Sequence, residues 1–113
     1  DLRFPAWCRN RDDYDVLLFV ANWPEPRTTA WTNLLKARAI ENQSYVIGVN
    51  RSGEDPRGLE YSGRSAIYDP LGETVLDLGS GEGSDTATIE LSKVVEIRSQ
   101  LPFQQDADDF ELS

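Results

Sequence analysis

Any chemistry in this 113-residue chain has to be done without histidine, which is absent, and with one cysteine, Cys8. Ser-His-Asp and Cys-His catalysis and histidine metal sites are therefore excluded within it. Cys8 has Arg9 and Arg11 near it in sequence, and cations favour a thiolate. A small, half-buried packed side chain is the expectation for it all the same. Glu41 falls on the apolar stripe of an expected helix, where a carboxylate must be paired or neutralised. Arg38, Arg51 and Arg3 are its candidate partners, and a structural ion pair is expected rather than direct chemistry. Gly79-Ser80-Gly81-Glu82-Gly83 has the glycines of a phosphate loop without its lysine or its following helix, so no nucleotide is expected there. Asp106, Asp108, Asp109 and Glu111 have neither the spacing nor the glycine of an EF-hand, and they read as a solvated acidic tail over residues 104–113. No metal and no cofactor is expected. The residues left to build a site are Asn22, Trp23 and Pro24 on one side, with Asn50 and Arg51 on the other.

The elements around them position both groups. Residues 15–21 are a continuous apolar run suited to a strand buried on both faces. Pro24 and Pro26 stop it. A helix fits residues 29–43 with Thr28 as N-cap, and residues 45–50 are a second buried strand. Together they make a βαβ unit with parallel strands and a right-handed crossover. Ligands of open α/β sheets lie beyond the carboxyl ends of the strands, which puts Asn22-Trp23-Pro24 and Asn50-Arg51 at the mouth of a site. On the helix, Ala30, Leu34, Ala37 and Glu41 form one stripe, Trp31, Leu35 and Ala39 lie on a second side, and Thr32, Lys36 and Gln43 mark the solvated edge. A helix this apolar calls for cover beyond its sheet side, from a second layer or a partner subunit.

Pro5 suits the first turn of a short helix over residues 6–11. Residues 51–62 read as a polar loop. Residues 63–69 and 73–78 form a hairpin around Asp69-Pro70-Leu71-Gly72, a type I turn. The alternation over residues 85–91 predicts a half-buried strand, and Ser92 caps a helix that ends before Pro102. Both strands of the βαβ unit are apolar on both sides and one helix layer covers one side, so the opposite sheet face should be apolar. The chain carries 20 acidic against 11 basic residues, a net charge of −9. Such a surface repels phosphate backbones and anionic lipid, so neither nucleic acid nor membrane is an expected partner. One cysteine fits a reducing cytoplasm. Position 1 is not methionine, as expected of a segment cut from something longer.

Several motifs together resemble one family. Asp1-Leu2-Arg3-Phe4-Pro5, Val20-Ala21-Asn22-Trp23-Pro24, Ala37-Arg38-Ala39-Ile40-Glu41-Asn42, Gly63 with Ser65, and Asp69-Pro70 with Gly72 are similar to the nitrilase, or carbon–nitrogen hydrolase, superfamily. Leu101-Pro102-Phe103 with Asp106-Ala107-Asp108 brings the likeness closest to its omega-amidase branch. The resemblance runs in order over the whole chain. It implies the C-terminal half of an α-β-β-α sandwich, an α/β fold with a mixed sheet and helices on one face. It also implies hydrolysis of short non-peptide amides, 2-oxoglutaramate among them, by a Cys-Glu-Lys triad. The nucleophile that it implies lies two residues before Asp1 in a Cys-Tyr-Asp context, and the glutamate and lysine lie further upstream. Cys8, Lys36 and Lys93 match none of the three, so this chain by itself should be inactive. Asn22, Trp23 and Pro24 match the segment that faces substrate, and Arg3, Arg38, Glu41 and Arg51 are expected to support it from behind. The resemblance further implies a homodimer through helices 6–11 and 29–43. The rival reading is a non-enzymatic acidic α/β binding module, or a fragment of a pseudo-enzyme.

Overall fold

The computed structural model describes residues 1–111. A four-residue helix, α1 (Pro5–Cys8), opens the chain, with Pro5 in the first turn where its missing N–H is not needed. The expected helix over 6–11 is shorter than its sequence suggested. Strand β1 (Val16–Ala21), helix α2 (Thr28–Asn42) and strand β2 (Tyr45–Asn50) follow, and β1 and β2 pair in parallel from Val16↔Tyr45 to Ala21↔Asn50. Thr28 does not cap α2. A 3-10 turn over Glu25–Arg27 precedes the helix, and the Thr28 hydroxyl donates to the Glu25 carbonyl at 2.7 Å.

Residues 51–62 are not a plain loop. They fold as an antiparallel ribbon of β3 (Ser52–Glu54) and β4 (Glu60–Ser62), closed by Asp55, whose carboxylate accepts from the Arg57 and Leu59 N–H groups. The hairpin is present as β5 (Ala66–Tyr68) and β6 (Thr74–Asp77), which complete a mixed four-stranded sheet in the order β1-β2-β5-β6. The strand expected over 85–91 is absent. Residues 85–90 have no regular structure, and the Glu90 N–H donates to the Tyr45 hydroxyl. Alternating side chains supply a pattern, but a strand also needs a free edge in register. Helix α3 (Leu91–Gln100) starts two residues earlier than expected, with Glu90 rather than Ser92 at the cap position, and Ser92 makes no cap hydrogen bond.

The core lies between α2 and one sheet face. Trp31, Leu35 and Ala39 are buried against Leu17, Phe19 and Val46. Gly48 makes this approach possible: a Cβ there would stand 2.6 Å from Leu35 Cδ1 and 2.8 Å from Trp31 Cζ2. The helix is thus turned relative to the sequence expectation. Trp31 and Leu35 face the sheet, Ala30, Leu34 and Ala37 are half-buried, and Glu41 is exposed. Gln43, expected at the solvated edge, is buried at the left-handed end of the helix, φ 48°, with its amide donating to the Leu101 carbonyl. The other sheet face is apolar and open, with Leu18, Val20 and Val49 at 58%, 75% and 44% exposure.

Helix α3 braces the end of the sheet where β1 and β2 begin. Arg98 donates to the carbonyls of Tyr14 and Gln43, to Ser44 Oγ and to Asp15. Asp69, buried at the β5–β6 turn, accepts from the Leu71 and Glu73 N–H groups and from Lys93 Nζ at 2.8 Å. Burial alone would raise the Asp69 carboxyl; the Lys93 bond and the two amides outweigh it and hold the group below its ordinary value. The acidic tail is not simply solvated: Arg9 stacks over Phe110 at 4.7 Å, and Arg11 pairs with Asp109. Residues 112 and 113 of that tail lie outside the described residues.

Gly48→Ala should lower the unfolding free energy by about 1–3 kcal/mol, because the helix has to back away or Leu35 leave its rotamer. A urea midpoint with unchanged slope reads this directly. Asp69→Asn should cost about 1–2 kcal/mol near neutral pH, Lys93 being partly solvated. A depressed carboxyl stabilises above its unfolded pKa of about 3.9 and loses that contribution as the pH falls through its folded value. The difference between wild type and Asp69→Asn should therefore shrink below about pH 4 in urea titrations run at stepped pH.

Candidate functional site

At the carboxyl end of β1 the chain leaves the sheet through Asn22 and Trp23, and Pro24 holds it extended before the 3-10 turn that contains Pro26. Trp23 has two neighbours across its ring. The Arg3 guanidinium lies 4.6 Å above its ring, and the Trp31 ring stands 5.5 Å away at 46°. Its indole N–H donates to the Arg27 carbonyl at 2.6 Å, while the Trp31 indole N–H donates to the Arg64 carbonyl at 2.9 Å. Beside this stack is a hollow of about 200 Å³ lined by Asp1, Leu2, Leu18, Phe19, Val20, Ala21, Trp23 and Trp31. Polar and apolar surface share its lining about equally, and Asp1 supplies its one ionisable side chain. Its volume suits a small ligand.

The expected residues come together only in part. Trp23 lines the hollow; Asn22 is exposed and Pro24 half-buried, and neither lines it. Arg3 covers Trp23. Arg38 is buried and grips the turn at the start of the chain, with Nε and Nη2 both donating to the Leu2 carbonyl at 3.0 and 2.7 Å. Its Nη1 reaches Glu41 at 3.1 Å, so the partner of Glu41 is Arg38, as an ion pair on the exposed side of the helix. Arg51 lies apart, stacked over Tyr61 of the ribbon at 4.5 Å. Asp1, Leu2 and Trp31 were not singled out as pocket residues by the sequence. Trp31 carried a signal that pointed to a second helix face, and only the docking of α2 on Gly48 turns it inward.

Cys8 is buried, and its thiol donates to the Asp1 carbonyl at 3.4 Å. Burial raises its pKa, and the Arg38 charge offsets only part of that. The arginines next to it in sequence are engaged elsewhere, Arg9 with Phe110 and Arg11 with Asp109. Cys8 is packed as a small side chain whose burial disfavours the thiolate.

Residues 1–99 match the carbon-nitrogen hydrolase family. The chain belongs to that family. It is 47% identical to the omega-amidase YafV of Escherichia coli K12, over 99% of this chain and 44% of that protein. It is 41% identical to the 2-oxoglutaramate amidase of Bacillus subtilis, over 94% of this chain and 41% of that one. Among solved structures, XC1258 from Xanthomonas campestris, a CN-hydrolase superfamily protein with an arsenic adduct in its active site, superposes with a TM-score of 0.97 at 45% identity. That match covers all of this chain and 46% of the other. The chain thus spans under half the length of these relatives, and its mixed α/β fold is the corresponding part of the nitrilase-like architecture. Among the described residues no helix is long and apolar enough to cross a membrane.

Arg38→Ala would leave the buried Leu2 carbonyl without a partner and should lower the unfolding free energy by about 1–3 kcal/mol. Arg38→Lys, with one donor group in place of the fork, should recover less than half of that loss in urea denaturation.

Proposed function

We propose that this chain forms the substrate-side wall of an omega-amidase-type hydrolase, which cleaves the terminal amide of a short dicarboxylic acid monoamide such as 2-oxoglutaramate. The observation that carries it is the Asp1–Trp23 hollow, a half-polar, half-apolar recess of small-ligand size beside the turn where the family resemblance puts the nucleophile. The names of the E. coli and B. subtilis relatives support the substrate class. In this reading a cysteine two residues before Asp1, from the same longer protein, attacks the amide carbon as its thiolate. A carboxylate base takes the thiol proton and passes it to the departing ammonia, and water then hydrolyses the thioester to the free acid. Trp23 walls the substrate, with Asn22 and Pro24 setting its entry. Arg3 presses on Trp23, and Arg38, paired with Glu41, holds the Leu2 carbonyl and hence the turn next to the nucleophile. Arg51 acts at a distance, by keeping the β3–β4 ribbon beside the mouth.

Two apolar surfaces fit the same reading. The open sheet face around Leu18 and Val20 is the side that the remaining sandwich layer would cover. Phe4, Trp7 and Ile40, exposed on and beside α1 and α2, fit a homodimer contact through those helices. Trp31 has no part in that contact, being buried within its own subunit. A reducing cytoplasm remains the compartment that one free, unoxidised thiol fits best.

The 113-residue chain alone should release no ammonia from 2-oxoglutaramate above background, whereas a longer protein carrying it should. In that protein Cys8→Ser should keep turnover within about threefold; a loss beyond about a hundredfold with the fold intact would move the nucleophile to Cys8 and defeat the proposal. Ile40→Glu places a charge on the proposed contact and should shift a dimer towards monomer in light scattering. An unchanged mass sends the interface elsewhere.

A further inference from the structure

We propose, resting on the reading of this hollow as the amide site, that Asn50 is the positioning residue of the pocket and sets where the Trp23 indole stands without touching substrate. Its carboxamide grips Trp23 by both backbone groups: Oδ1 accepts from the Trp23 N–H at 2.7 Å, and Nδ2 donates to the Trp23 carbonyl at 3.0 Å. The second proton of Nδ2 goes to the Gly63 carbonyl at 3.0 Å. Three of the four hydrogen bonds an asparagine side chain can make are thereby filled. Holding the N–H and C=O of one residue fixes the peptide planes on either side of it, and with them the direction of its Cα–Cβ bond. Trp23 depends on this because it lies past the end of β1, outside any ladder or helix.

The anchor at the far side is itself fixed. Gly63 has φ +75°, and a Cβ there would stand 3.1 Å from the Gly81 carbonyl oxygen; Arg64 follows at φ +57°. In this pair of left-handed residues the Gly63 carbonyl accepts from the Asn50 side chain and the next carbonyl, that of Arg64, from the Trp31 indole. The Asn50 backbone is held by Ser65, whose Oγ accepts the Asn50 N–H at 2.9 Å and donates to the Asn50 carbonyl at 3.3 Å. One side chain therefore transmits the position of the β4–β5 corner to the pocket wall. Aspartate has the same shape and keeps the acceptor, but it replaces two donations with repulsion against two carbonyls.

In the longer protein, Asn50→Asp should raise KM for a short omega-amide about tenfold and leave kcat within about threefold. In a Trp23→Ala background the same change should leave KM where Trp23→Ala alone puts it, because Asn50 acts only through Trp23. Effects that multiply in the double variant, or a loss confined to kcat, overturn the proposal. A second measurement needs no turnover: acrylamide quenching of Trp23 fluorescence, taken as the difference between each protein and its Trp23→Phe counterpart, should increase in Asn50→Asp. Unchanged quenching also overturns it. Increased quenching in a protein whose wild type hydrolyses no such amide upholds the positioning and rejects the amide site. If Asn50→Asp and the milder Asn50→Ser both lose their far-UV circular dichroism, Asn50 belongs to the fold alone and the proposal fails.

Discussion

The closeness of α2 to the sheet depends on Gly48 having no side chain. Because Leu35 and Trp31 occupy the volume a Cβ would take, the helix lies low enough for Trp31 to reach both the Trp23 ring and the Arg64 carbonyl. Close packing leaves no freedom to restore this arrangement after a small outward shift. The hydrophobic core and the wall of the candidate site are therefore one structure. Trp31 is buried for stability and at the same time forms the floor on which Trp23 stacks.

Around that contact, buried and half-buried polar groups at the ends of elements fix the chain's less regular parts. Arg38 holds the opening turn, Asn50 the exit of β1, Asp69 the β5–β6 turn, and Arg98 the entries of β1 and β2. Each binds main-chain groups of a segment that lacks a ladder or helix to satisfy them. Among the described residues one buried side-chain atom, Gln43 Oε1, has no partner. A buried guanidinium or amide is costly when incompletely bonded, so these residues specify geometry more than they add stability. That division suits a site whose wall has to be held in place without a rigid element of its own.

The open sheet face has a different origin. Leu18, Val20 and Val49 alternate with residues that face α2, and nothing within the described residues covers them fully. Exposed apolar surface of this kind on a strand pair marks a contact in a larger assembly. The relatives' greater length agrees with a second layer on that side.

The βαβ unit, its parallel pairing and the β5–β6 hairpin were legible in the sequence, because long apolar runs and a Pro-x-Gly turn are local signals. The family was legible too, through motifs spread over the chain. The direction in which α2 faces was not. Its sequence carries two apolar stripes of similar strength, and the choice between them is made by Gly48 on another element. Residues 51–62 and 85–91 were misread for related reasons: a short polar ribbon has little pattern of its own, and an alternating segment becomes a strand only where an edge accepts it. Of the proposed site, Trp23 and its neighbours followed from the strand end. The places of Arg3 and Arg38 around it are set by contacts across 20 and 36 residues, and so is the grip of Asn50 across 27. Spacing along the chain holds no record of such contacts; packing in three dimensions alone decides them.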